Sequence, residues 1–190
     1  FRLDESVYVD PLLAAKLQAL LESGLNILLD GPQGCGKTFL SREIAADDLP
    51  RLAARNAAWV PTILGVESII GWLGSDSSGG RLLARGVANV RELLPEAERL
   101  GMTVLAGTDL AVPHGKVALE AIRLHEFGLS RPAALRAVTR AAYGYLGVEH
   151  EFSPGAIADV VFVRDDPREN LETLLNPVTI FRSGRIVPRL

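Results

Sequence analysis

The sequence contains few of the residues that mark secreted or membrane-embedded proteins. Its 190 residues include a single cysteine, so no disulfide can form within the chain, and a reducing, cytoplasmic location is expected. It has no run of about 18 or more apolar residues, which argues against a transmembrane helix and a membrane partner. Residues 1–10 lack a basic region followed by an apolar one, so no signal peptide is predicted, and the missing initial methionine indicates a chain cut from something longer.

The sequence also lacks a charge excess of either sign. Lysine and arginine number 20 and aspartate and glutamate 23, for a formal net charge of −3. A nucleic-acid partner is not expected, because it would need a concentrated basic surface. Apolar residues make up 48% and charged residues 23%, as in folded globular proteins, and the length suits one domain or two small ones. Composition leaves the oligomeric state open.

The first motif that carries chemistry is a phosphate-binding loop. An apolar run of strand length at 25–30 precedes it and a helical pattern at 39–48 follows it, which is the context that a P-loop requires. Glycines let backbone N–H groups turn towards phosphate oxygens, Lys37 adds a positive charge, and the Thr38 hydroxyl can bind Mg²⁺. The complete pattern disfavours a glycine-rich turn with a chance lysine. It predicts binding of ATP with Mg²⁺, and the candidate nucleotide-binding residues are Gly31, Pro32, Gln33, Gly34, Cys35, Gly36, Lys37 and Thr38.

Hydrolysis of ATP would need more than this loop. A P-loop ATPase also has an apolar strand that ends in a Mg²⁺-binding acid, and the two candidate segments, 103–109 and 160–166, both fit that pattern poorly. The loop would favour the thiolate of Cys35, although the simpler interpretation is a small residue that the loop tolerates.

Residues 1–45 resemble the start of an AAA+ ATPase domain, close to the MoxR-like group. The resemblance lies in VYVDP at 7–11 and NILLDGPQGCGKTFLSREIA at 26–45, and it implies ATP and Mg²⁺ binding through Gly31–Thr38. The Walker B strand, sensor residues and arginine finger of that family are not recognisable in the rest of the chain.

The remaining residues predict alternating helices and strands, followed by a β-rich end. Glycine and serine are frequent at 65–80, which predicts a mobile loop, and Ser183-Gly184 predicts a hairpin turn. Helices are predicted at 47–58, 81–100, 114–127 and 130–144, and strands at 59–64, 102–107, 158–163, 178–181 and 185–187.

Asp109 stands where the strand at 102–107 gives way to a loop. In barrels of alternating strands and helices, active sites lie at this end of the strands, where a carboxylate can bind a metal or act as a general base. The alternative is that Asp109 caps the following turn, which is a common role for aspartate. Position in the sequence alone does not separate the two.

Residues 47–189 resemble the C-terminal part of a metal-dependent amidohydrolase, nearest the imidazolonepropionase-like group. The resemblance implies that Asp109 is a catalytic metal ligand and proton shuttle, that Zn²⁺ or another divalent metal is the cofactor, and that the substrate is a small amide or cyclic amide. It also implies that 59–63 and 103–107 are the last barrel strands. The stretches that carry it are AAWVPTIL (57–64), AERLGMTVLAGTD (97–109), HEFGLSRPAALRAVTRAAYGYLGV (125–148), SPGAIADVVFVRDDP (153–167) and NPVTIFRSGRIV (176–187).

Both resemblances are incomplete. The His-x-His pair and the strand histidines of the amidohydrolases are missing, and the only histidines are His114, His125 and His150. Packing or solvent-exposed roles are expected for all three, because a tight zinc site takes three or four ligands.

We therefore predict two segments, 1–46 of P-loop type and 47–190 of amidohydrolase type, in a chain that looks chimeric. A mis-assembled gene product or a natural domain repurposed around a P-loop are the alternatives. The expected fold is α/β, with partial (β/α)-barrel strands, flanking helices and a short β-rich C-terminal segment. The strands at 25–30, 59–63 and 103–107 are expected to share one small parallel sheet. The functional hypotheses are a metal-dependent amidohydrolase-type hydrolase and, alternatively, an ATP/Mg²⁺-binding module.

Overall fold

A computed structural model describes residues 46–109, 112–148 and 152–188. It contains six α-helices and five short strands within those residues, in an alternating order that ends in β-structure. The helices are α1 (Leu49–Ala54), α2 (Ile63–Leu73), α3 (Ser78–Arg99), α4 (Ala118–Glu126), α5 (Arg131–Ala137) and α6 (Arg140–Tyr145); the strands are β1 (Ala58–Trp59), β2 (Thr103–Val104), β3 (Val160–Phe162), β4 (Thr179–Arg182) and β5 (Arg185–Ile186); and 3₁₀ turns occupy Ala46–Asp48 and Leu171–Leu175.

The first sheet is a parallel pair. β1 and β2 run side by side with Ala58 opposite Thr103 and Trp59 opposite Val104, and α2 and α3 form the crossover between them. The predicted parallel pairing of 59–63 with 103–107 is confirmed, although both strands are shorter than expected. The proposed third strand, at 25–30, lies outside the described residues, and the residues described here do not close a barrel.

The hydrophobic core lies where α3, α4 and α5 cover this pair. The long helix α3 places Val90, Leu93, Leu94 and Ala97 on one buried face, at the i, i+3, i+4, i+7 spacing of an amphipathic helix. These residues share one cluster with buried side chains of both strands and of the following helices, namely Trp59, Val104, Leu124, Phe127, Ala133, Ala134 and Ala137. The predicted helix at 81–100 is confirmed, and it begins earlier because the Ser77 hydroxyl accepts a hydrogen bond from the Gly80 N–H.

The predicted mobile loop at 65–80 is wrong. Most of it is helix α2, which buries Ile63, Gly65 and Val66. Two glycines inside a helix weaken its intrinsic propensity by about 1 kcal/mol each, but burial of one face outweighs that preference. The irregular part shrinks to the turn at 74–77, where Gly74 has a φ of 83° and ends the helix.

Two predicted helices are shorter or divided. The first ends at Ala54 rather than at residue 58. The segment 130–144 forms two helices, α5 and α6, with a break at Val138–Thr139, where Thr139 leaves the helical region and its hydroxyl donates to the Leu135 carbonyl. The helix predicted over 114–127 begins only at Ala118.

The C-terminal segment is a three-stranded antiparallel sheet in the order β3–β4–β5. The predicted hairpin at Ser183-Gly184 is confirmed, because both residues have positive φ, 50° and 74°, as the tight turns between antiparallel strands require. Phe162 and Phe181 contact each other edge to face on this sheet, yet Phe162 and Ile186 remain more than half exposed. Within the described ranges no helix has the length and hydropathy that crossing a bilayer demands.

Candidate functional site

Asp109 lies beyond the carboxyl end of β2, in the position predicted for it. Its side chain is exposed and its backbone has a φ of 45°, in the left-handed region that aspartate tolerates better than most residues. The segment between the strand and Asp109 continues alongside β1, since the Leu105 N–H donates to the Trp59 carbonyl at 2.9 Å. The carboxylate therefore stands at the edge where the two parallel strands end.

The backbone before Asp109 packs closely on the junction between β1 and α2. A methyl group placed on Gly107 would lie 2.6 Å from Val60 Cγ1 and 2.9 Å from Thr62 Oγ1. One placed on Gly65, in the first turn of α2, would lie 3.3 Å from Asp109 Cβ. Glycine at both positions allows this approach, so the location of Asp109 depends on where α2 begins.

Glu120, in the first turn of α4, is the buried charged residue at this junction. Its side chain is fully inaccessible to solvent, and its two carboxylate oxygens accept hydrogen bonds from the N–H groups of Ile63 at 2.6 Å and Leu64 at 3.0 Å. Burial raises the pKa of Glu120, while these two hydrogen bonds act in the opposite direction. The carboxylate thus satisfies the first amides of a helix 56 and 57 residues earlier in the chain.

The sequence reading missed Glu120. A weak signal was available, because Glu120 precedes Leu124 and Phe127 by four and seven residues and so occupies the apolar face of its helix. A carboxylate at such a position is almost never buried without partners. The partners themselves are not apparent from the sequence, since Ile63 and Leu64 stand at the end of a predicted strand, 59–64, whereas the structure places them in the first turn of a helix.

A second polar contact, an ion pair, joins α2 to α4. Arg123 of α4 forms a bidentate contact with Glu67 of α2, including an Nε–Oε2 distance of 3.0 Å, and also pairs with Glu126. The hydrogen bonds to Glu67 raise the pKa of Arg123 above its ordinary value. The guanidinium carbon lies 4.9 Å from the centre of the Phe127 ring, and that of Arg91 lies 4.1 Å from it.

The other predicted residues do not gather around Asp109. His114 is exposed in the connection before α4, and the Nδ1 of His125 lies 2.8 Å from the Leu129 carbonyl oxygen, a packing role as expected. His150 lies outside the described residues, as do Cys35 and all of Gly31–Thr38. A cavity of about 360 Å³ lies at the opposite, amino end of the strand pair, where Asn56, Thr103, Arg136 and Tyr145 are among its lining residues.

The acidic segment at 160–166, one of the two weak Walker B candidates, belongs to the C-terminal sheet. Its strand, β3, is antiparallel to β4, whereas a Walker B strand lies in a parallel sheet. Asp166 begins a turn, in which its carbonyl accepts a hydrogen bond from the Glu169 N–H, and its carboxylate pairs with Arg168, whose hydrogen bonds lower the pKa of this carboxyl to about 2. Asp166 therefore has a structural partner rather than a free coordination position.

A resident metal ion does not fit the described residues alone. Asp109 offers one carboxylate, and residues 46–109, 112–148 and 152–188 contain no group of three or more histidine, cysteine, aspartate or glutamate side chains that could hold a metal. Since zinc sites take three or four protein ligands, further donors would have to come from outside this part of the chain.

Comparison with known proteins gives a fold but no family. No family model matches the chain, and no curated protein matches it. Solved structures do match. A protein of Bifidobacterium longum that is assigned as a prolidase is 25% identical over 70% of this chain and 35% of its own, with a TM-score of 0.61. A Xaa-Pro dipeptidase with methionine bound in its active site is 20% identical over 92% of this chain and 42% of its own, with a TM-score of 0.70. Ochratoxinase from A. niger is 19% identical over 76% and 35%, with a TM-score of 0.63.

These similarities concern the fold, and the chain spans about a third to two fifths of the length of the three structures. They support the amidohydrolase part of the expected resemblance. They give no support to the AAA+ resemblance at residues 1–45 or to a chimeric origin.

Proposed function

We propose that this chain provides the C-terminal part of an amidohydrolase-type hydrolase that cleaves the C–N bond of small amides. The observation that carries the proposal is the position of Asp109, exposed at the carboxyl end of one of two parallel strands. In folds of alternating parallel strands and helices, this end carries the catalytic residues. The solved structures with similar folds include a prolidase-type protein and a Xaa-Pro dipeptidase, so Xaa-Pro dipeptides are the first substrates to try.

The role proposed for Asp109 is proton transfer. Its carboxylate accepts a proton from the water that attacks the amide carbonyl and returns it to the nitrogen as the C–N bond breaks. A free amine and a carboxylic acid result, and the carboxylate is restored. The hydrolases implied by the resemblance use a divalent metal to activate the water; the donors for such a metal are not assembled by the described residues, so Asp109 is proposed only as one contributor.

The test is hydrolysis of Xaa-Pro dipeptides and N-acyl amino acids by the purified chain with Zn²⁺, Mn²⁺ or Co²⁺. Asp109→Asn removes the proton acceptor at nearly constant size, and kcat/KM should fall about 100-fold or more. Asp76→Asn is the matched control, since Asp76 is an exposed aspartate in the turn between α2 and α3. Since the described residues supply one carboxylate and not a complete metal site, the comparison of variants decides the matter: an Asp109→Asn variant that keeps the activity of the unmodified chain would refute the proposal.

Residues 1–45 carry a second proposal, binding of ATP with Mg²⁺. It rests on the complete Gly31–Thr38 motif between an apolar segment and a helical pattern. Backbone amides of the loop and Lys37 would hold the phosphates, and the Thr38 hydroxyl would bind Mg²⁺. Equilibrium binding of a fluorescent ATP analogue tests it, with Lys37→Ala expected to abolish binding.

A further inference from the structure

We infer that Glu120 is the positioning residue for Asp109, because it fixes the first turn of α2, on which Asp109 packs. The inference rests on the proposed function for the importance of Asp109. The positional coupling itself rests on the contacts between α4, the start of α2 and the segment that ends at Asp109.

Glu120 takes the place of a missing local cap. Thr62 precedes α2 in the position where a threonine side chain usually accepts a hydrogen bond from the first helical amides. Here Thr62 is left-handed, with a φ of 51°, and makes no such bond; its hydroxyl lies 3.4 Å from the Val60 carbonyl oxygen instead. The first amides of α2 are buried or half-buried, so the Glu120 carboxylate supplies the acceptors that they need.

Asp109 packs on the same first turn of α2. Gly65 directly follows the two capped residues, and a methyl group placed on it would lie 3.3 Å from Asp109 Cβ and 3.6 Å from the Thr108 carbonyl oxygen. Asp109 itself is exposed and left-handed, so its orientation depends on neighbours rather than on its own burial. Displacing the start of α2 would therefore displace Asp109.

A purely stabilising role for Glu120 is the competing interpretation, and Glu67→Gln is the control for it. Glu67 also lies on α2 and also bonds to α4, through Arg123. Its loss weakens the packing of the same two helices but leaves the amides of Ile63 and Leu64 capped. Both variants should reduce the free energy of unfolding, and only Glu120→Gln should move Asp109.

The experiment compares ¹H–¹⁵N spectra, amide exchange and steady-state kinetics of the purified chain and its variants. In Glu120→Gln, one amide loses its acceptor and faces the carboxamide NH₂. We expect faster exchange at Ile63 and Leu64, displaced resonances of Thr108 and Asp109, and a fall in kcat of about 10- to 100-fold at nearly unchanged KM. In Glu67→Gln the Thr108 and Asp109 resonances should stay in place.

Unmoved Thr108 and Asp109 resonances in Glu120→Gln, or equal displacement in Glu67→Gln, would overturn the inference. If Glu120→Gln does not fold, Glu120→Asp decides the matter: it keeps the charge but is one methylene too short to reach both amides, and the same resonances should move. The resonances also separate this inference from the proposed function. Loss of activity in Asp109→Asn tests the function, whereas the response of Asp109 to Glu120 can be observed in a chain without any activity.

Discussion

Replacing Gly107 with alanine should force apart the ends of the two parallel strands. The added methyl group would lie 2.6 Å from Val60 Cγ1 and 2.9 Å from Thr62 Oγ1, whereas carbon atoms in contact are ordinarily about 3.5–4.0 Å apart. Val60 and Thr62 are both β-branched and have few alternative rotamers, so the methyl group can be accommodated only if these side chains or the backbone that carries them shift. Overpacking of this kind costs about 1–3 kcal/mol.

Urea unfolding followed by tryptophan fluorescence measures the effect, because Trp59 is buried in β1. The midpoint should fall with little change in the slope. Gly71→Ala is the matched control: Gly71 lies within α2, a methyl group there would have no neighbour within 4 Å, and the change should stabilise the chain by about 0.5–1 kcal/mol. Equal stability of Gly107→Ala and the unmodified chain would refute the close packing of the 107–109 segment on the β1–α2 junction.

Three further predictions concern charge and ligands. Burial raises the pKa of Glu120, so above about pH 4.5 the native state binds more protons than the unfolded state. The free energy of unfolding of the unmodified chain, relative to that of Glu120→Gln, should therefore decrease as pH rises. Urea unfolding at several pH values measures it, and an increase in this difference with pH would contradict the prediction. Arg168→Gln should raise the pKa of Asp166 from about 2 towards 3.8, as measured by ¹³C NMR. An unchanged pKa would show that the ion pair with Arg168 does not lower it. Mg-ATP at about 100 times its dissociation constant should stabilise the chain by roughly 2.7 kcal/mol, and Lys37→Ala should remove the shift; equal stabilisation of both proteins would refute the P-loop assignment.

The elements that could be predicted from sequence are those whose signals are local. The hairpin at Ser183-Gly184 follows from turn residues between two β-type runs, and α3 follows from its regular apolar spacing. The parallel pairing of 59–63 with 103–107 was expected from the resemblance and is present, but each strand has only two residues. The length of β1 depends on where the chain turns away from β2. It turns at Thr62, whose backbone is left-handed, and neither glycine nor asparagine occupies this position to signal that conformation in the sequence.

The errors arise where tertiary contacts outweigh local preference. Glycine and serine at 65–80 favour a loop locally, yet burial of Ile63 and Val66 and the capping by Glu120 stabilise α2 there. Conversely, regular spacing over 130–144 predicts one helix. In the structure the helix is interrupted at Thr139, and both resulting helices, α5 and α6, contact β2. Neither outcome can be obtained from a window of neighbouring residues.

The two residues of the candidate site also differ in how far the sequence identifies them. Asp109 could be identified because a strand, a short motif and an acid are adjacent in sequence. Glu120 has only a weak signal in the sequence, because its partners Ile63 and Leu64 are more than 50 residues away and lie in a helix that the sequence does not predict. Asp109 packs on that helix. It is exposed and is identified by residues next to it in sequence, whereas Glu120, which holds it in place, is buried and acts through residues that are distant in sequence. Substitutions chosen from sequence motifs alone would therefore sample the chemistry of this site and miss the contacts that determine its geometry.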